Sequence, residues 1–171
     1  GPEVRALEEE WASYFGSKQA IAVNSATSGL IAAVGAARIS PGDEVIVTPI
    51  SMAATATAIV VWGGIPVFAD VEDDTFCLDP SSVEANITER TRAIVVTNIF
   101  GQPYDHVGIN GIARRNGLTV IEEGEGPNPT AEDVLFVNYV GKLEDGTVFD
   151  ESQPLPLPPE AQGVFPEGNP L

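Results

Sequence analysis

The chain has 171 residues, 43% of them apolar, and its 25 acidic against 8 basic side chains give a net charge of −17. Such a length fits one domain or slightly more with material for a core, and so acidic a surface repels phosphate backbones, which argues against nucleic-acid binding. No apolar run approaches the roughly 20 residues that a bilayer span needs, and the first residues lack the layout of a secretory leader, so a cytoplasmic protein is expected.

Cys77 is the single cysteine and His106 the single histidine, which leaves no disulfide framework and no metal set at ligand spacing. The acidic excess is spread along the chain without a long run, as solubility alone would require.

The segment EVRALEEEWASYFG places Val4, Leu7, Trp11 and Phe15 near helical spacing and stops at Gly16. AIAVNS (20–25) reads as a short strand with an abrupt polar end, and SGLIAAVGAARI as a small-residue helix closed by Pro41-Gly42-Asp43. EVIVTP (44–49) is the next strand and SMAATATAIVVWGG (51–64) the next helix. IPVFADV (65–71) is a strand, and SSVEANI a short helix after the cap-like Asp79-Pro80. RAIVVTNIFG (92–101) reads as a buried strand, DHVGINGIARRNG as a helix with Gly117 behind it, and LTVIEE as a last strand. This alternation implies an α/β fold, a mostly parallel sheet with helices on both faces.

Two places invite chemistry. At Ser25-Ala26-Thr27-Ser28 a strand gives way to a helix, offering free N–H groups, the positive end of the helix dipole and hydroxyls to an anion. Taken alone such a segment is more often a plain N-cap. Glu122 and Glu123 end the last strand, where α/β sheets place their reacting groups; a solvated acid is the competing reading.

From Gly124 the grammar changes. A Gly/Pro/Asn linker leads to the alternating DVLFVNYVGKL, then Asp145-Gly146 and TVFDES, a hairpin over about 134–151. A proline-rich tail, 153–171, reads as extended chain. The expected division is 1–123 and 124–171, two pieces of separate origin joined near Gly124.

The blocks GPEVRALEEEWASYFG, AVNSATSGLIAAV, PGDEVIVTPISMAATATAI, GGIPVFADVEDDTFCLDPSSVEANITERTRAIVVTNIFGQPYD and IARRNGLTVIEE occur in one register. In them residues 1–123 resemble the DegT/StrS family of sugar aminotransferases, which carry pyridoxal phosphate on the large domain of the aspartate-aminotransferase fold. The resemblance implies a partial large domain of that fold, with Ser25, Ala26 and Thr27 at the cofactor phosphate. Met52 stands where the family stacks an aromatic on the ring. Glu123 replaces the aspartate that pairs with the pyridinium nitrogen, and Asn98 a common histidine before Phe100-Gly101. The family's Schiff-base lysine lies well beyond Glu123, while this chain has only Lys18 and Lys142. The implied function is amino transfer to a keto sugar, with a small-molecule sugar as partner, a possible homo-oligomer, and no catalytic residue present for turnover.

The motif V-x-Y-x-G-x-L-x-D-G-x-x-F-D, from Val137 to Asp150, resembles the first strands of FKBP-type peptidyl-prolyl isomerases, whose proline pocket would map to Tyr139, Phe149 and Asp150. Three functions therefore compete: a PLP-enzyme fragment, a prolyl isomerase fragment or proline-peptide binder, and a non-catalytic chimeric or truncated product.

Overall fold

The structure, a computed structural model, describes residues 1–124, 140–142 and 148–151. Helix α1 (Pro2–Phe15) opens on proline, whose missing N–H costs nothing at a helix start, and ends on Gly16 at φ 65°. None of its residues is buried, and Trp11 and Phe15, one turn apart, bring their rings to 5.1 Å. Helix α2 (Ala26–Ala36) follows, then β1 (Glu44–Val47), α3 (Ala53–Val61) and β2 (Ile65–Phe68). Next come α4 (Pro80–Ala85), β3 (Thr91–Thr97), α5 (His106–Asn116) and β4 (Thr119–Glu123).

The four strands pair in parallel in the order β2-β1-β3-β4. Period-two alternation sorts the side chains into two cores. Val45, Val47, Ala93, Val95 and Ile121 meet α2 and α3 on one face. Ile46, Ile94 and Val96 meet α4 and α5 on the other. The parallel α/β sheet with helices on both faces is thus as the sequence implied.

This order creates a switch point. From β1 the chain passes through α3 to β2 on one side, and from β3 through α5 to β4 on the other. The loops leaving β1 and β3 therefore part company at the carboxyl ends of the strands, the place where open α/β sheets put their ligand crevice. At one margin of the sheet, Ile65 and Ala69 turn their N–H groups to Asp43 and Val47, so Pro66 between them faces away from β1.

One element is not as the sequence implied. Residues 20–24 form no strand: Ile21 is 72% and Val23 44% exposed, and the Ala22 N–H donates to Glu8 Oε1 at 2.9 Å. A strand exists only through its neighbour, and none of the four strands takes this segment as one. The strand expected over 92–101 also stops early, at Thr97. Ile99–Gly101 turns as a 3-10 segment with Phe100 at φ 55°, a left-handed conformation that gives its side chain 88% exposure.

Contacts divide the chain into two compact units, Gly1–Tyr139 and Val140–Leu171. In the second, β5 (Val140–Lys142) pairs antiparallel with β6 (Val148–Glu151), with Gly141 opposite Asp150. These strands fall inside the expected hairpin; its turn, Asp145-Gly146, its start at 134–139 and the proline-rich tail lie outside the described residues. Among the described residues no helix is long and apolar enough to cross a membrane, and no group of three metal-ligating side chains gathers.

Candidate functional site

Successive residues of a strand face opposite sides, so the acids that end β4 lead different lives. Glu122 pairs in register with Val96 and turns toward the α4/α5 face. It is buried, and Asn98 Nδ2 donates to its Oε1 at 2.5 Å. Asn98 Oδ1 in turn accepts the Tyr104 N–H at 3.1 Å. The asparagine thus ties the loop after β3 to a buried acid.

Glu123 lies beside Thr97 in the ladder and faces the crevice, partly exposed. Its Oε2 is surrounded by hydroxyls: Thr55 Oγ1 at 2.7 Å, Thr97 Oγ1 at 3.0 Å and Ser51 Oγ at 3.4 Å. Ser51 and Thr55 are also 2.8 Å apart. A hydroxyl has one proton to give. The distances assign the Ser51 proton to Thr55, and those of Thr55 and Thr97 to the carboxylate. Among the described residues Oε1 accepts no hydrogen bond, and no cation stands against either oxygen.

Helix α2 runs antiparallel to β4, because Ala33, Ala36 and Ala37 of its last turn share a shallow hollow with Thr119–Ile121 at the start of that strand. Its N-terminus is therefore directed toward the end where Glu123 stands. Ser25 caps it, with Oγ accepting the Ser28 N–H at 3.1 Å and bonded to Ser28 Oγ at 3.0 Å. The N–H of Gly29 goes to the Ser25 carbonyl at 3.1 Å. The N–H groups of Ala26 and Thr27 find no acceptor among the described residues, as at the start of any helix. The hollow itself, about 380 Å³ and lined by alanines, Arg38, Val120 and Ile121, lies at the far end of the sheet and gathers no reactive group.

Met52 is the N-cap of α3 and 76% exposed, at the same rim as Ser51. Asn98 is drawn inward by Glu122 rather than offered to the crevice. Cys77 is buried with Sγ 3.2 Å from the Gln102 carbonyl oxygen; burial pushes its thiol pKa up, which disfavours the thiolate and makes it a poor nucleophile. His106 begins α5 with its ring 4.0 Å from that of Tyr104. Lys18 is exposed in the turn after α1, and Lys142 belongs to β5. Of the three residues that the isomerase resemblance would assign to a proline pocket, Phe149 and Asp150 are on β6, and Tyr139 lies outside the described residues.

Sequence reasoning singled out the capping serine, the helix start, the methionine and the acid, all on the carboxyl rim of the sheet. It missed Ser51, Thr55 and Thr97. Thr55 and Thr97 had a usable signal: each interrupts an otherwise apolar stretch, and a threonine at a core position needs a partner for its hydroxyl.

A family model described as the DegT/DnrJ/EryC1/StrS aminotransferase family matches residues 1–149, a span that runs past Glu123 and over β5. The spore coat polysaccharide biosynthesis protein SpsC of Bacillus subtilis is 39% identical over 153 residues, 87% of this chain and 38% of the relative. A UDP-N-acetyl-3-dehydro-alpha-D-glucosamine 3-aminotransferase of Acidithiobacillus ferrooxidans is 42% identical over 123 residues, 72% of this chain and 33% of the relative. The solved NtdA of Bacillus subtilis, with bound cofactor PMP, superposes with a TM-score of 0.70 at 35% identity, over 71% of this chain and 28% of that one. The chain thus spans about a third of the length of the relatives it matches. With a family match over most of its length and relatives at this identity, the chain belongs to the DegT/DnrJ/EryC1/StrS aminotransferase family.

Proposed function

We propose that this chain is the cofactor-holding part of a sugar aminotransferase, and that the cofactor is pyridoxal phosphate or its amine form. One observation carries the reading: at the carboxyl end of a parallel sheet, Glu123 has one carboxylate oxygen without a partner among the described residues, at the end toward which the N-terminus of α2 is directed. The donor set suits such a ligand. A phosphate needs N–H groups at a helix start, which Ala26 and Thr27 provide with the Ser25 and Thr27 hydroxyls nearby. A pyridinium N–H needs an anionic acceptor, which Glu123 provides. Met52 gives an exposed thioether at the rim as an apolar surface for a ring. When bound, this cofactor supplies an electron sink for amino transfer. The keto sugar as amino acceptor is inferred from the relatives, one of them named for amino transfer on a UDP-linked dehydro sugar.

Covalent attachment and proton shuttling require an amine at the ring. Lys18 and Lys142 are the two lysines, and neither stands where the family carries its Schiff-base lysine, so the reading is retention of cofactor without turnover by these residues alone. Titration with pyridoxal phosphate, followed by amide NMR, tests it: the Ala26 and Thr27 resonances should move and Thr27→Val should blunt the change. Unmoved amides at millimolar ligand would reject the cofactor, and transamination by the isolated chain would reject the inactivity.

A second reading concerns 124–171 alone. It rests on the sequence motif from Val137 to Asp150, since an antiparallel strand pair such as β5–β6 is common to many folds. Faster cis-to-trans relaxation of a proline peptide would support it; no acceleration would remove it.

A further inference from the structure

We propose that Thr55 and Thr97, backed by Ser51, are positioning residues for Glu123: they occupy Oε2 and leave Oε1 as the one oxygen presented to a protonated ring nitrogen. The inference rests on the cofactor reading above and extends it to three residues with no role so far.

A glutamate side chain has three torsions and two equivalent oxygens, so a partly exposed one ordinarily samples several orientations. Here the carboxylate is gripped from two elements, by Thr55 in the first turn of α3 at 2.7 Å and by Thr97 at the end of β3 at 3.0 Å. Both threonines are buried, Thr55 at 2% and Thr97 at 8% exposure, and branching at Cβ restricts where each hydroxyl points. Ser51 adds to the grip from behind. By donating to Thr55 Oγ1 at 2.8 Å it satisfies that oxygen as an acceptor and polarises its O–H toward Glu123.

The donors are all neutral. An arginine or lysine at Oε2 would have fixed the carboxylate equally well and cancelled its charge. Hydroxyls orient it and leave the charge for the ligand, so the site selects a ring with a cationic N–H over a neutral one. The longer side chain of glutamate makes such a grip necessary, because each added torsion loosens the aim of the free oxygen.

The test uses the full chain and pyridoxamine 5′-phosphate, a probe without an aldehyde that needs no lysine. In Thr55→Val/Thr97→Val, affinity should fall roughly tenfold, and the bound ring should lose its proton at lower pH than in the parent, read from its absorbance band. Inorganic phosphate should bind both equally, and restoring serine at position 55 should recover part of the loss. Crystal structures without ligand supply a second readout: Glu123 in one orientation in the parent and in several in the double variant. An unmoved Glu123 with unchanged affinity and pH profile would overturn the positioning role. Failure of the parent to bind the probe would overturn the cofactor reading instead, and the crystal comparison would still decide the grip. Should the double variant not fold, Ser51→Ala gives the same readouts in smaller measure, about threefold in affinity.

Discussion

Two carboxylates at opposite ends of the sheet show how a fold separates support from chemistry. Glu44 opens β1, is buried, and has both oxygens taken: Thr88 Oγ1 donates to Oε2 at 2.5 Å, and the Arg90 guanidinium donates through Nε and Nη2 to Oε1. The Thr88 hydrogen bond first, and then Arg90, hold its pKa below the ordinary carboxyl value, against the upward push of burial. Glu123 closes β4 and also takes threonine hydroxyls, but among the described residues it meets no cation and keeps one oxygen free. An acid paired by its own fold is finished. An acid gripped by neutral donors still has its charge to offer.

Four experiments put this contrast at risk. The comparison requires a common sheet beneath both ends, so its largest test is Ile94→Ala in the fully buried middle of β3. The cavity should cost about 2–5 kcal/mol in urea unfolding, and a loss below 1 kcal/mol would mean that the sheet is not the rigid frame described. Next is Gly35→Ala on α2. A Cβ there would come within 2.4 Å of the Trp62 ring, whose Nε1 donates to the Ile31 carbonyl oxygen at 2.8 Å. That contact closes the seam between α2 and α3, and prying it apart should cost about 1–3 kcal/mol with a change in tryptophan fluorescence. Unchanged fluorescence would place the ring elsewhere.

The third test is acid. A depressed folded pKa contributes stability above the ordinary carboxyl range, and that contribution disappears as pH falls through the depressed value. Glu44→Gln should therefore be less stable than the parent at neutral pH, and the two urea midpoints should converge as pH falls below about 4. Parallel profiles would show that Glu44 is no fold-stabilising anion. The smallest effect belongs to Glu123→Gln. The amide oxygen can still accept from Thr55 and Thr97, so stability should stay within about 0.5 kcal/mol, while affinity for pyridoxamine 5′-phosphate falls. A large stability loss would make Glu123 a structural acid like Glu44 and end the contrast.

Much of the frame was legible because local chemistry fixes it. Gly16 and Gly117 end helices at positive φ, and Ser25, Asp79 and Asp105 cap them through side-chain oxygens. These signals act within a few residues. The segment 20–24 misled because strand character depends on a neighbour that the segment itself does not encode. The hydroxyl grip was illegible for a related reason: Ser51 and Thr55 lie 72 and 68 residues from Glu123, and only the crossover order brings them together. Glu123 itself was found because a strand end is a local feature, whereas the pairing of Asn98 with Glu122 across 24 residues was not.

Pro66 has a consequence for how copies of this chain behave in a crowd. Ile65 and Phe68 leave apolar surface on β2, an outer strand of the sheet among the described residues and so an invitation to sideways polymerisation. A proline facing outward there withholds the donor that an incoming backbone would seek, so fibre growth from this margin meets a gap at its first rung. Exchanging that ring for valine should turn a self-limiting border into a sticky one, visible as light scattering that climbs with concentration.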